Sequence, residues 1–278
     1  MTTPEDDSIS APSPEPVVSL TIAPAWHTIV LIVGIVALSI HGASRFSAEH
    51  GPINRLHTYG FTAAMEASIF AWVILGLRLR KTPLRSLLGS FSFNIRSLAA
   101  DLGFAAVFWI ASLIVLGTIA AAWTGAEVVL THSPTSNHAA GQAGQTGRAL
   151  TDDPSRLEAL RALEQLAPAS SKEIIAWTLL CLFVGFVEEI VFRGYLQRQF
   201  IGWARGGVVI GVLASAVVFG GAHAYQGARA MVLLAIFGVL FSMLALYRRS
   251  LRAGMFAHCW HDLIAGLTLA LIKSSHLI

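Results

Sequence analysis

Seven stretches of about twenty mostly apolar residues constrain this chain more than any other feature. They cover about 24–42, 58–77, 97–123, 173–192, 207–225, 230–247 and 254–272. A bilayer core takes about 20 residues of helix to cross. Inside lipid, backbone groups find partners only in a helix or a closed barrel. The expected fold is therefore all-α: a polytopic helical membrane protein with about seven transmembrane helices in one bundle. Composition agrees, because 13% of the residues are charged and 55% hydrophobic, whereas soluble domains carry about 25% charged residues.

Residues 1–23 are rich in Pro, Ser and acids and hold no Lys or Arg. A secretory signal would begin with a basic region, so this segment is expected to be a disordered tail. Residues 24–123 make the first three spans. Residues 124–172 form a loop whose first half is rich in Gly, Ser, Asn, Gln and Ala and reads as flexible. Within it, Ser155-Arg156-Leu157-Glu158 has the form of a capping box. Leu157, Leu160, Leu163 and Leu166 follow at three-residue spacing, the pattern of a short amphipathic helix. A connector is expected there rather than a lid. Residues 173–278 hold the last four spans.

Arg78, Arg80, Lys81, Arg85 and Arg96 lie between spans two and three with no acid among them, which assigns that loop to the cytoplasm. By alternation, Arg193, Arg198 and Arg205 after span four, and Arg248, Arg249 and Arg252 after span six, fall on the same side. The N-terminus is then cytoplasmic and loop 124–172 extracytoplasmic. The net charge of +3 comes from these clusters. They lack the interleaved aromatics of a nucleic-acid site. Cys181 and Cys259 both fall in spans and suggest neither a disulfide framework nor a metal-binding pair.

The last four spans carry charges that need an explanation. Glu188, Glu189 and Arg193 end an otherwise uncharged run from Ile174 to Val187. A charge at mid-helix costs about 2.5–3.5 kcal/mol on insertion scales, and such charges normally face a bundle interior or a wet cavity. Glu189 and Arg193 are four apart with the acid first, the favoured order for a helical ion pair. Glu188 lies about 100° away round the helix. The expectation is that Glu189 and Arg193 neutralise each other and leave Glu188 to point into a cavity. The bland alternative has all three snorkelling at a membrane surface.

Phe219-Gly220-Gly221-Ala222-His223 lies late in span five, its small residues suited to close helix approach. His258 and Asp262 lie early in span seven, four apart and so on one face. A lone intramembrane His is often a packing residue, but here three spans each bury a polar group. If they converge, they supply a general base, a second proton-handling group and oxyanion donors, the parts needed for hydrolysis. Simple hairpin arithmetic sets Glu188 and His223 at similar depth. It puts His258 about 10–15 Å nearer the basic side, a gap that tilt or a broken helix has to close.

Glu188-Glu189-x-x-x-Arg193, Phe219-x-x-x-His223 and His258-x-x-x-Asp262 together resemble the motifs of the CAAX prenyl endopeptidase and bacteriocin-processing (CPBP, or Abi) family of intramembrane proteases. The resemblance covers about 173–272, a third of the chain, and makes 173–278 a CPBP-like catalytic helical core. It implies that Glu188 and His223 activate the attacking water. His258 and Asp262 would stabilise the oxyanion, and Glu189 with Arg193 would hold the first acid. The family usually has Asn where this chain has Asp262. An Asp donates only when protonated, so orienting His258 is at least as fitting a role. No His-Glu-x-x-His is present. Glu188, His223 and His258 could form a zinc site with one open position, although the reading leans to metal-free chemistry.

The resemblance implies an intramembrane endopeptidase of the bacterial cell membrane. Its partners would be the lipid bilayer and a peptide: a prenylated C-terminus, a leader peptide or a membrane-protein segment. Two rivals stand beside it. A proton-coupled transporter would use Glu66, Asp101, Glu188, Glu189 and the histidines as a relay, and would show an inverted repeat. A non-catalytic scaffold would have kept the fold alone.

Overall fold

The structure, a computed structural model, describes residues 21–48, 53–90, 94–131 and 166–274, with 43–48 and 131 described by backbone alone. The expected tail lies outside these residues apart from its last three positions, as do the Gly/Ser-rich stretch and nearly all of the expected amphipathic helix.

The described chain is helical throughout, in the order α1 (Ala25–Ala48), α2 (Arg55–Leu79), α3 (Arg85–Leu88), α4 (Ile95–Thr131), α5 (Ser171–Glu188), a π-helical segment (Glu189–Leu196), α6 (Gln197–Trp203), α7 (Val208–Ala222), a 3-10 turn (Ala224–Gln226), α8 (Ala228–Arg248) and α9 (Arg252–Ser274). Six of these units are long and apolar enough to cross a membrane, with α5, the π segment and α6 counting as one, Ser171–Trp203. The seventh, α7, has 15 residues, about 22 Å of helix. The polarity is arranged for lipid. Val107, Val209 and Val217 are exposed at 67–70%, while Glu66, Asp101, Glu188, Glu189, Arg193 and His258 are buried. The protein is a multi-pass membrane protein.

Three boundaries differ from expectation, and the contacts explain the first two. Span four does not stop at Phe192, and Arg193 is not in a basic loop: the helix runs on to Trp203. Glu189 cancels the Arg193 charge at 3.0 Å, and Gln199 is consumed in holding the start of α1. Its Oε1 accepts from the Ile22 and Ala23 amides at 3.0 and 3.1 Å, and its Nε2 donates to the Ala23 carbonyl at 2.8 Å. Arg193 and Gln199, which look like loop residues, thus have an ion-pair partner and hydrogen-bond partners inside the bundle. Span five ends at Ala222, short of 225, because the chain turns at His223 and again at Gly227, where φ is +90°. Span three continues to Thr131, eight residues past its expected end.

At the basic end, Arg252 is not in a surface loop either. Asp101 takes Arg248 at 2.6 Å and also pairs with Arg252. Ser250, Leu251, Arg252 and Ala253 are buried. The Ser90 amide donates to the Arg249 carbonyl at 2.9 Å and the Leu251 amide to the Leu88 carbonyl at 3.1 Å, tying this turn to the strip that includes α3. The α8–α9 turn therefore starts inside the protein, which lets His258 lie deeper than hairpin arithmetic allows.

Candidate active site

Close packing of α5 on α9 creates the site. A Cβ on Gly185 would stand 2.7 Å from Cys259 Sγ and 2.9 Å from its backbone nitrogen. On Gly254 it would meet Glu189 Oε2 at 2.9 Å, and on Gly266 the Trp177 ring at 2.4 Å. Small residues are what let membrane helices approach this closely. One α-turn beyond Gly185, the two acids come against His258.

The acids divide the imidazole between them. His258 Nδ1 lies 3.1 Å from Glu189 Oε1, in hydrogen-bond geometry. Its Nε2 stands 3.4 Å from Glu188 Oε2 and 3.7 Å from Asp262 Oδ2. The Glu188 contact lacks hydrogen-bond alignment, and Glu188 Oε2 is buried with no hydrogen-bond partner. Glu189 also holds Arg193, whose guanidinium lies 4.3 Å from the Phe219 ring centre and 4.9 Å from that of Phe241. Cation–π contacts of this kind stabilise a desolvated guanidinium. The π-helical segment carries this pair, and π turns are frequent at functional sites.

His223 arrives from the other side. It caps α7 rather than lying within it. Its Nδ1 donates to the Phe219 carbonyl at 2.8 Å, so in the neutral ring Nε2 carries the lone pair. Phe219 packs against both imidazoles, 4.9 Å from the His223 ring and 6.2 Å from that of His258. His223 also acts electrostatically on Asp262. Of the two glycines before it, Gly220 packs against the Met231 carbonyl, where a Cβ would come within 2.4 Å, whereas Gly221 opens onto space. Non-helical backbone at membrane depth is tolerated where it is buried or lines a wet cavity.

Two groups that sequence reasoning left without a role also belong here. Glu66, on α2, is buried and interacts electrostatically with Glu188, His258 and Asp262. As a lone acid in an apolar span it was visible, but nothing local tied it to a partner far along the chain. Tyr225, two residues after His223, lies within the influence of Glu188, Asp262 and Glu66. An aromatic at a helix end carries no signal of its own. Asp101, by contrast, is taken up by arginines at the basic end, and His261 packs against Phe237 at 4.9 Å.

Among the described residues, no three His, Cys, Asp or Glu side chains gather closely enough to hold a metal ion. The contacts give the reason. Both His258 nitrogens already face carboxylates, and the His223 Nδ1 proton is spent on a carbonyl.

A family model described as Rce1-like, type II CAAX prenyl endopeptidase, matches residues 170–264. No curated protein and no solved structure matches the chain. The matched segment is about a third of the sequence and contains Glu188, Glu189, Arg193, His223, His258 and Asp262. Over that segment the chain is similar to the type II CAAX prenyl endopeptidases, in keeping with the resemblance that its motifs carry.

Proposed function

We propose that the protein hydrolyses a peptide bond of a membrane-associated peptide, with Glu188 as the base that activates water. The observation that carries this reading is the Glu188 carboxylate: buried, close to an imidazole, and with one oxygen lacking a hydrogen-bond partner. A buried carboxylate oxygen without a partner is costly, and a bound water is the smallest group that satisfies it.

In the proposed reaction Glu188 takes a proton from water as its oxygen attacks the peptide carbonyl carbon. His223, with its Nε2 lone pair, is the second proton-handling group. His258, fixed through Nδ1 by Glu189, faces the reacting centre with Nε2, and Asp262 keeps that face oriented. The tetrahedral intermediate then expels the amine nitrogen, which receives the proton held by Glu188. The C–N bond breaks and the products are a carboxylic acid and an amine, which exchange a proton to leave as carboxylate and ammonium. Arg193 takes no part in proton transfer; it pairs with Glu189 and holds it aligned.

The test is cleavage of internally quenched peptides, farnesylated and unmodified, by the purified protein in liposomes. Wild type cleaves, while Glu188→Ala and His223→Ala each lose about 10²–10⁴ in rate, the usual worth of general acid–base catalysis. The rate is unaffected by 1,10-phenanthroline. Full activity in both variants rejects the mechanism, and chelator inhibition reversed by zinc rejects its metal-free form.

A further inference from the structure

Glu66 on α2 and Asp262 on α9 lie at one depth beside the proposed reacting centre. Ring contacts fix the level of Glu66. Tyr59 of α2 lies 5.4 Å from Trp177 of α5, and Phe70 lies 6.1 Å from Phe186. Seven residues after Tyr59 and four before Phe70, Glu66 falls opposite residues 182–184. α9 runs the other way along α5, with Gly266 against Trp177 and Cys259 against Gly185. Four residues before Gly266 and three after Cys259, Asp262 falls opposite 181–182. Trp177 meets both α2 and α9, so the two acids flank one edge of α5. Glu188 lies four to six residues further along α5, about 6–9 Å at the helical rise.

The basic groups that act on these two acids are histidines: His258 on both, with His261 and His223 on Asp262. Arg193 is spent on Glu189 and, through space, on Glu188. Asp262 and Glu188 both act on Glu66 as like charges, and Glu188 acts on Asp262 in the same way. Glu66 is 7% exposed, and among the described residues no hydrogen bond or ion pair engages its carboxyl. The Asp262 side chain, 3.7 Å from His258, is 29% exposed, so the pair borders open space. Acids within membrane spans are costly unless they pair. A third acid, Glu188, also has a buried oxygen without a partner. The chain thus gathers carboxyls around this space and leaves the compensating positive charge to come from outside.

We propose that Glu66 and Asp262 form a specificity subsite for the side chain of a substrate Lys or Arg close to the scissile bond. This rests on the hydrolytic reading above. An extended peptide advances about 3.3 Å per residue, so a subsite about 6–9 Å from Glu188 serves a residue within about three positions of the cleaved bond. The ammonium or guanidinium relieves the repulsion among the three acids and accepts charge-assisted hydrogen bonds to them in a site of low dielectric. The same acids repel a substrate Asp or Glu, which makes the subsite selective in both directions. Glu66 supplies to this subsite a group from α2, outside the segment that carries the motifs.

The experiment uses quenched peptides with blocked termini in liposomes of zwitterionic lipid, so that surface charge does not concentrate the basic ones. At each of the three positions on either side of the scissile bond the peptides carry Lys, Nε-acetyl-lysine, Leu or Glu. Acetyl-lysine keeps the length of the side chain and removes its charge. Hydrogen bonds to charged groups are worth about 10- to 100-fold. Wild type is expected to favour Lys over acetyl-lysine by that factor in kcat/KM at one position or more, with Glu the poorest there. In Glu66→Gln, and in Asp262→Asn, the Lys to acetyl-lysine ratio at that position should fall by about tenfold, with unfolding temperatures close to wild type. If wild type cleaves Lys and acetyl-lysine peptides equally at every position while Glu188→Gln is inactive, the subsite is overturned and the hydrolytic reading stands; this comparison needs no folded subsite variant. An undiminished ratio in a folded Glu66→Gln also overturns the subsite. Wild-type activity in Glu188→Gln, or no cleavage of any peptide by wild type, overturns the hydrolytic reading and the subsite with it.

Discussion

Gly185→Ala tests whether the site is made by the contact between α5 and α9. The added Cβ would sit 2.7 Å from Cys259 Sγ and 2.9 Å from the Cys259 backbone nitrogen, against about 3.5–4.0 Å for relaxed contact. The thiol can rotate, but a backbone nitrogen in a helix cannot. The helices therefore part by about 0.5–1 Å to restore ordinary contact. Overpacking of this size costs about 1–3 kcal/mol. The larger effect is on geometry, because Glu188 lies one α-turn further along α5 and His258 is next to Cys259 in sequence. A 3.4 Å separation between Glu188 and His258 widens to about 4 Å or more, and misplacement by about 1 Å can cost 10²-fold in rate. The assay is kcat on a quenched peptide together with unfolding temperature in detergent. A fall of about 10- to 100-fold in kcat is expected. Gly117→Ala, on α4 where a Cβ meets nothing within 4 Å, should leave both readouts unchanged. Equal activity in Gly185→Ala and Gly117→Ala would show that this contact does not set the catalytic distance.

Three further outcomes follow from the same contacts. Glu189→Gln, which leaves the buried Arg193 charge uncompensated, should destabilise the protein by about 3–5 kcal/mol, whereas Glu189→Leu with Arg193→Met should recover much of that in thermal unfolding; equal stability of single and double variants would contradict the pairing. Asp262→Asn should keep kcat within about tenfold of wild type, since the amide keeps a polar oxygen facing His258 Nε2, 3.7 Å away in the native pair, while Asp262→Ala should lose more than tenfold; identical losses would remove the orienting role. Glu66→Gln should displace the pH–rate profile without lowering the unfolding temperature, because Glu66 shares the field of Glu188 and His258; an unchanged profile would detach α2 from the chemistry.

What could be read from the sequence follows the range of the forces involved. Helices were legible because a bilayer imposes one length and one polarity on every span. The EExxxR spacing made a Glu189–Arg193 pair foreseeable because both ends lie on one helix. Glu66 and Tyr225 were not assigned, since their partners lie far away in sequence and no local rule links them. The extent of span four was misjudged for a related reason: Arg193 and Gln199 look like loop residues until Glu189 and the start of α1 are seen to satisfy them. The depth of His258 depended on a turn buried by tertiary bonds to the strip around α3, which helix arithmetic cannot contain.

The central claim is that Glu188 acts on water rather than on the substrate itself. A single turnover in oxygen-18 water, with enzyme in excess over a quenched peptide, tests this most directly. Mass spectrometry of the new C-terminal carboxylate should find one heavy oxygen in the first turnover. A first-turnover product whose new oxygen is light, with the label in the Glu188 carboxylate, would instead show that this side chain attacks the carbonyl, and would contradict water activation by Glu188.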